Sequence, residues 1–104
     1  MNAIIFNIDE LKKIIAKVAY HYNVQKVMLF GSYFDGNPSG ESDIDLLVSY
    51  GNKCKGLKRI GFMQELEKAL GKNVDVLNTD FPPQFIHEID LSDERRIMYD
   101  EQRN

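Results

Sequence analysis

The stretch from residue 29 to residue 48, LFGSYFDGNPSGESDIDLLV, decides the fold of this chain. An unbroken apolar run, residues 27–30, ends at Gly31, which is typical of a buried strand that runs into a turn. Residues 33–42 are dense in turn-forming residues and predict an irregular loop. Residues 43–50 begin with acids and then become apolar, which predicts a second strand.

A helix is predicted before this stretch, from Asn7 to Tyr22. Asn7 and Glu10 have the spacing of a capping box, in which each side chain bonds a free amide at the helix start. The apolar positions repeat with the period of an amphipathic helix, and they are Leu11, Ile14, Ile15, Val18, Ala19 and Tyr22.

A second long helix is predicted after the stretch, from Gly56 to Leu70, with Gly71 as a left-handed cap at its end. Its predicted apolar stripe consists of Leu57, Ile60, Met63, Leu66 and Leu70. A short third strand is expected at residues 73–77, with Val74 and Val76 on one face and Asp75 on the other.

The last quarter of the chain is less regular. Proline residues open a short helix predicted at residues 84–89. An apolar anchor follows at residues 97–99, before a polar tail that we expect to fray. These elements predict one α+β domain over residues 1–104, with a central mixed sheet of three or more strands flanked by helices.

Composition limits the classes of function. The chain has 104 residues, of which 43% are hydrophobic and 28% charged, as in ordinary folded domains. A net charge of −3 argues against direct DNA binding. No apolar run is long enough for a membrane span, and no secretion signal is evident, so a cytoplasmic location is expected. The single Cys54 argues for a reducing compartment and against a zinc module.

Three acids carry the predicted chemistry. Asp43 and Asp45 are two positions apart on a predicted strand and therefore share a face, and Asp75 joins them if the third strand lies alongside. Converging carboxylates repel one another unless a cation is bound. Oxygen ligands without His or Cys favour Mg²⁺, with Mn²⁺ as the other candidate. Two such ions are typical of displacement at phosphorus.

The pair Gly31-Ser32 fits the same chemistry. A glycine after a buried strand lets backbone amides approach a triphosphate, and a serine hydroxyl can donate one more hydrogen bond. We therefore expect these two residues to bind the phosphates of a nucleotide.

The combination of Gly31-Ser32, ten intervening residues, Asp43-x-Asp45 and the later Asp75 resembles the signature of the DNA polymerase beta nucleotidyltransferase superfamily, and most closely its minimal nucleotidyltransferases. The resemblance runs from the first helix to Val-Asp-Val at 74–76. It implies the nucleotidyltransferase fold and transfer of a nucleoside monophosphate from ATP or another NTP to a hydroxyl. Gly31 and Ser32 would hold the triphosphate.

The same resemblance assigns the acids. Asp43 and Asp45 would bind two Mg²⁺ ions, and Asp75 would bind the catalytic ion and help to deprotonate the acceptor. One departure is that many minimal nucleotidyltransferases have an arginine shortly after the serine, where this chain has Asp35. Asp35 then faces solvent, or basic residues compensate, or nucleotide binding is weak. The candidate basic residues are Lys53, Lys55, Lys58 and Arg59.

Two functions follow from the resemblance. The first is an antitoxin that transfers AMP to a tyrosine of a small helical HEPN toxin. The second is a binding module that keeps the fold, has weak or no catalytic activity, and neutralises the HEPN partner by contact. Assembly into a homo-oligomer is left open.

Overall fold

Four strands form one mixed sheet in the order β3-β2-β1-β4. β1 pairs antiparallel with both β2 and β4, whereas β2 pairs parallel with β3. The structure is a computed structural model that describes residues 5–103, so the remaining residues of the predicted domain lie outside it. The strands are β1 (Lys26–Phe30), β2 (Ile44–Ser49), β3 (Val74–Asn78) and β4 (Ile97–Asp100).

Three α-helices and three short 3₁₀ helices surround the sheet. The α-helices are α1 (Ile8–His21), α2 (Ser32–Asp35) and α3 (Leu57–Leu70), and the 3₁₀ helices are Gln84–Glu88, Glu94–Arg96 and Glu101–Arg103. The mixed sheet with flanking helices is therefore confirmed. None of the helices between residues 5 and 103 is long and apolar enough to cross a membrane.

The start of α1 is closed by the predicted capping box. The Glu10 amide donates to Asn7 Oδ1 at 2.8 Å, and the Asn7 amide donates to Glu10 Oε1 at 2.9 Å. The helix thereby satisfies two amides that would otherwise have no partner. Its inward face buries Leu11, Ile15, Val18 and Ala19.

The main core lies between one face of the sheet and the helices α1 and α3. Alternate residues of the strands enter it, as the pleat of a strand requires, and they include Val27, Leu29, Ile44, Leu46 and Val48. Residues between them, such as Asp45, point to the opposite face. That opposite face is partly covered by the segment that connects β3 to β4.

The predicted stripe of α3 is wrong at three of its five residues. Leu57, Ile60 and Met63 are exposed, with 83%, 51% and 36% of their surface accessible. Phe62, Leu66 and Leu70, one per turn, face the core instead. The helix has apolar residues on two sides, and packing against the sheet and α1 selected the side that carries the large aromatic ring.

The prediction of an irregular loop at residues 33–42 is wrong at its start. Ser32–Asp35 forms the one-turn helix α2, which contacts β1 and β2 and buries Tyr33 to 3% exposure. Gly36 ends it with a left-handed conformation, φ +89°. Burial of the aromatic residues Tyr33 and Phe34 against the core stabilises this helical turn despite the turn-forming composition of the segment.

The apolar anchor expected at 97–99 is confirmed, because Met98 and Tyr99 are buried in the core. It is also part of the strand β4, which lies beside β1, a pairing that no local pattern indicates. One expectation for the end of the chain needs correction. The tail expected to fray forms a 3₁₀ turn at Glu101–Arg103, and the Glu101 amide donates to the Gln25 carbonyl at 3.0 Å.

Candidate active site

Phe30, Asp45 and Asp75 form a row across three neighbouring strands. In the sheet register Phe30 pairs with Asp45, and Asp45 pairs with Asp75. Directly paired residues share a face of a sheet, so these three side chains lie side by side on the face away from the main core. The row stands where β1 ends and where β2 and β3 begin.

Gly31 brings the turn after β1 against this row. Its backbone has φ +76° and ψ −159°, a conformation that only glycine adopts readily. A Cβ atom at this position would overlap the carboxylate of Asp45. The sequence therefore has glycine here for two reasons, the backbone conformation and the space occupied by Asp45.

The carboxyl group of Asp45 is electrostatically unusual. Burial, followed by the charge of Asp75 and a hydrogen bond with it and by the charge of Asp43, raises the pKa of Asp45 to about 6. Each of these effects disfavours a second negative charge at this place. The site therefore favours either a shared proton or a bound cation between Asp45 and Asp75.

The other two predicted site residues flank the row. Asp43 lies just before β2 and is exposed, with the buried Ile44 between it and Asp45. Ser32 begins α2 and is half-buried, and its carbonyl accepts from the Gly36 amide at 3.1 Å. The structure thus joins Asp45 closely to Asp75 and leaves Asp43 at the edge.

The donor set suits a hard cation. Asp43, Asp45 and Asp75 offer carboxylate oxygens alone, which is what Mg²⁺ and Mn²⁺ prefer. Within residues 5–103, however, no three His, Cys, Asp or Glu side chains are grouped closely enough to form a complete metal site. Asp45 and Asp75 would therefore hold a metal ion together with Asp43 only if other oxygens, such as those of phosphates, complete the coordination.

A polar groove of about 470 Å³ opens beside Asp43. Its walls come from the loop before β2 and from the turn between α3 and β3, and they include Ser42, Glu67 and Lys72. The Lys72 ammonium donates to the Gly40 carbonyl at 2.7 Å and thereby ties the two walls together. A larger cavity, about 620 Å³, lies at the opposite end of the sheet, away from Asp43, Asp45 and Asp75.

The basic residues expected to compensate for Asp35 do not reach this site. Arg59 lies over the Tyr50 ring, 4.5 Å from its centroid, and Lys58 donates to Asn23 Oδ1 at 2.9 Å, both beyond the far end of β2. Asp35 itself is exposed. This exposure agrees with the alternative in which Asp35 faces solvent, and the alternative of weak nucleotide binding stays a prediction.

Two residues near the site were not identified from the sequence. Phe85 packs against Phe30, with ring centroids 6.0 Å apart, and remains 44% exposed. Arg96 is the one buried charged residue among those described, at 9% exposure. Both belong to the segment 79–96, for which the sequence predicted only a short helix at residues 84–89 and no site residue.

Comparisons with known proteins found a matching family model and relatives of this chain. A family model described as "Polymerase beta, Nucleotidyltransferase" matches residues 12–103. A candidate protein adenylyltransferase of Methanocaldococcus jannaschii is 39% identical over 71 residues, which cover 68% of this chain and 76% of that protein.

Two solved structures share the fold. A toxin-antitoxin complex with AMP-PNP matches with a TM-score of 0.60 and 27% identity, over 72% of this chain and 62% of the matched chain. A tri-AMPylated HEPN toxin of Shewanella oneidensis in complex with its MNT antitoxin matches with a TM-score of 0.62 and 21% identity, over 92% of this chain and 75% of the matched chain.

Proposed function

The chain belongs to the polymerase beta nucleotidyltransferase family, and on this premise we propose that it transfers AMP from ATP to a protein hydroxyl. The acceptor is a tyrosine of a small helical HEPN toxin, which the transfer neutralises. One observation carries the proposal: Asp45 and Asp75 lie side by side, against a glycine turn at the end of the preceding strand.

Each residue has a separate part in the proposed reaction. Asp43, Asp45 and Asp75 would hold Mg²⁺, which supplies positive charge to the attacking and leaving oxygens when it is bound. Gly31 keeps the turn free of a side chain, so the phosphates can approach Asp45 closely. Ser32 donates its hydroxyl to a phosphate oxygen. Asp75, exposed on the same face, accepts the proton of the acceptor hydroxyl.

The choice of nucleotide and acceptor rests on the relatives. The methanogen relative is named as a protein adenylyltransferase, which supports AMP as the group and a protein as the acceptor. The structural relative at 27% identity is a toxin-antitoxin complex that contains an ATP analogue. ATP is therefore the donor that we propose, and the HEPN toxin is the proposed partner.

The test uses ATP labelled at either the α- or the γ-phosphate, Mg²⁺, and a HEPN protein encoded beside this chain. We expect transfer of the α label alone, because nucleotidyl transfer releases pyrophosphate. Asp45→Asn/Asp75→Asn should abolish the transfer, whereas Asp9→Asn, at an exposed acid of α1, serves as the matched acidic control. Transfer of the γ label, or transfer that the double variant retains, would contradict the proposal.

The alternative is a module that neutralises its HEPN partner by contact alone. The observation in its favour is that no complete metal cluster is preformed among residues 5–103. Under this alternative, Asp45→Asn/Asp75→Asn still binds and silences the partner, and no label is transferred by the unaltered protein. Measuring partner binding and label transfer on the same samples separates the two functions.

A further inference from the structure

The buried Arg96 connects three segments around the candidate site. Its Nη1 donates to the Leu29 carbonyl at 3.3 Å, at the end of β1, and its Nε donates to the Asp90 carbonyl at 2.8 Å. Its guanidinium lies over the ring of Phe34 of α2, with 3.8 Å from Cζ to the ring centroid. The segment before the Gly31-Ser32 turn and the segment after it are thereby fastened to one side chain.

Arg96, the residue directly before β4, supports β1 where the pairing of β1 with β4 ends. The pairing of β1 with β4 ends at Met28 and Ile97, so the next part of β1 has no strand beside it on that side. The guanidinium bonds the Leu29 carbonyl there in place of a backbone amide. The last residues of β1, from which the turn begins, are therefore held on both sides.

The partners of Arg96 are unusual for a buried cation. A buried charge normally has an ionic partner. The ion pairs within 4.0 Å among the described residues involve Arg95 and Arg103 and not Arg96, and the carboxylates of Asp90 and Asp93 attract its charge only from a longer distance. Two carbonyls and an aromatic ring hold it instead. A planar group with a fixed fork of donors can bridge such partners at defined angles, which a lysine cannot do.

We infer that Arg96 is a positioning residue for the nucleotide site, an inference that rests on the proposed function. It acts through Phe34 and the Leu29 carbonyl to hold the Gly31-Ser32 turn against Asp45. The triphosphate then meets a turn that is already in its binding conformation. Loss of this support leaves the turn mobile, so binding must order it and becomes weaker.

Arg59 offers a matched control within the same chain. It also lies over an aromatic ring, that of Tyr50, and its Nε donates to the Cys54 carbonyl at 3.0 Å. It is half-buried and stands beyond the opposite end of β2. Arg59→Lys therefore removes the same kinds of contact without touching the candidate site.

The experiment measures the dissociation constant of Mg²⁺·AMP-PNP by calorimetry for the full chain and its variants. We expect Arg96→Lys and Phe34→Leu each to raise the dissociation constant about tenfold, which corresponds to about 1.4 kcal/mol of binding free energy. Phe34→Tyr keeps the aromatic ring and should keep the constant near its original value. The double variant Arg96→Lys/Phe34→Leu should bind only slightly more weakly than either single variant, because each single change already removes the contact between Arg96 and Phe34. Arg59→Lys should leave the constant unchanged.

Hydrogen exchange of the amides of residues 31–35 provides a readout that needs no ligand. Arg96→Lys should exchange faster there than the unaltered protein, while Arg59→Lys should not. If Arg96→Lys binds AMP-PNP normally, or exchanges no faster at these amides, the positioning role is refuted. If the unaltered protein binds no AMP-PNP, the proposed function fails instead, and the exchange experiment still decides the role of Arg96.

Discussion

The carboxylate of Asp45 occupies the space that a side chain at Gly31 would need. Gly31 directly follows β1 and Asp45 lies in β2, and the sheet register places Phe30, the neighbour of Gly31, directly opposite Asp45. A glycine is therefore required at position 31 by contact as well as by conformation. At position 36 only the conformation requires glycine, because φ is +89° there and a Cβ atom would meet nothing within 4 Å.

This contrast predicts different outcomes for two alanine variants. Gly36→Ala adds conformational strain and should cost about 1 kcal/mol of unfolding free energy. Gly31→Ala places a side chain in a backbone region that is essentially restricted to glycine and also displaces Asp45, so it should cost about 2–4 kcal/mol and abolish nucleotide binding. Urea denaturation and AMP-PNP titration measure both effects. Equal losses of stability in the two variants would show that Asp45 gives way easily.

The raised pKa of Asp45 predicts how stability depends on pH. The ordinary value is 3.8 and the folded value is about 6, so the folded state holds this proton more tightly than the unfolded state. Stability of the metal-free protein should therefore fall as pH rises from about 4 to about 6 and then level off. Asp45→Asn should remove this fall and raise the melting temperature above pH 6.

Thermal melts in chelator, from pH 4 to pH 8, provide the measurement. Asp9→Asn, a change to an exposed acid of α1, is the control and should keep the pH dependence of the original protein. A metal-free protein whose stability rises steadily over this interval would contradict the electrostatic description of the site.

A divalent cation should offset the repulsion between the carboxylates of Asp45 and Asp75. We expect Mg²⁺ or Mn²⁺ with ATP to raise the melting temperature at pH 7.5, with a gain of about 2.7 kcal/mol when the ligand is present at 100 times its dissociation constant. Asp45→Asn/Asp75→Asn should show no such gain, while Asp80→Asn, at an exposed position after β3, should behave like the original protein. Equal stabilisation of all three proteins would place the binding elsewhere.

The two faces of α3 should respond differently to truncation. Leu66 is fully buried, so Leu66→Ala should cost about 2–5 kcal/mol. Leu57 is 83% exposed, so Leu57→Ala should stay within about 0.5 kcal/mol of the original stability. Urea denaturation of the two variants is the measurement, and a large loss from Leu57→Ala would contradict the observed packing.

Sequence patterns predicted the parts of the fold that depend on neighbouring residues. The capping box at Asn7 and Glu10 and the left-handed cap at Gly71 are local signals, and the structure confirms both. The strand β4 was missed because its partner, β1, is far away in the chain. The buried face of α3 was mistaken because two apolar faces compete, and only tertiary packing decides between them.

The candidate site, too, could be predicted from the sequence only in part. The alternation of a strand was enough to predict that Val74 and Asp75 lie on opposite faces of β3, and the structure buries the first and exposes the second. The closeness of Asp45 to Asp75 depended on the parallel pairing of β2 with β3, which the sequence allowed but did not require. Arg96 could not be assigned, because a guanidinium that bonds a carbonyl 67 positions away leaves no periodic pattern.

The row of Phe30, Asp45 and Asp75 also has a consequence for the folding rate. Its members lie far apart in the chain, and the hydrogen bond from Arg96 to the Leu29 carbonyl closes a still longer loop. Closing such loops costs entropy before any contact is gained, so we expect slower folding than in helical domains of this length. Mutually repelling acids therefore meet only when burial of the sheet supplies the free energy that holds them together.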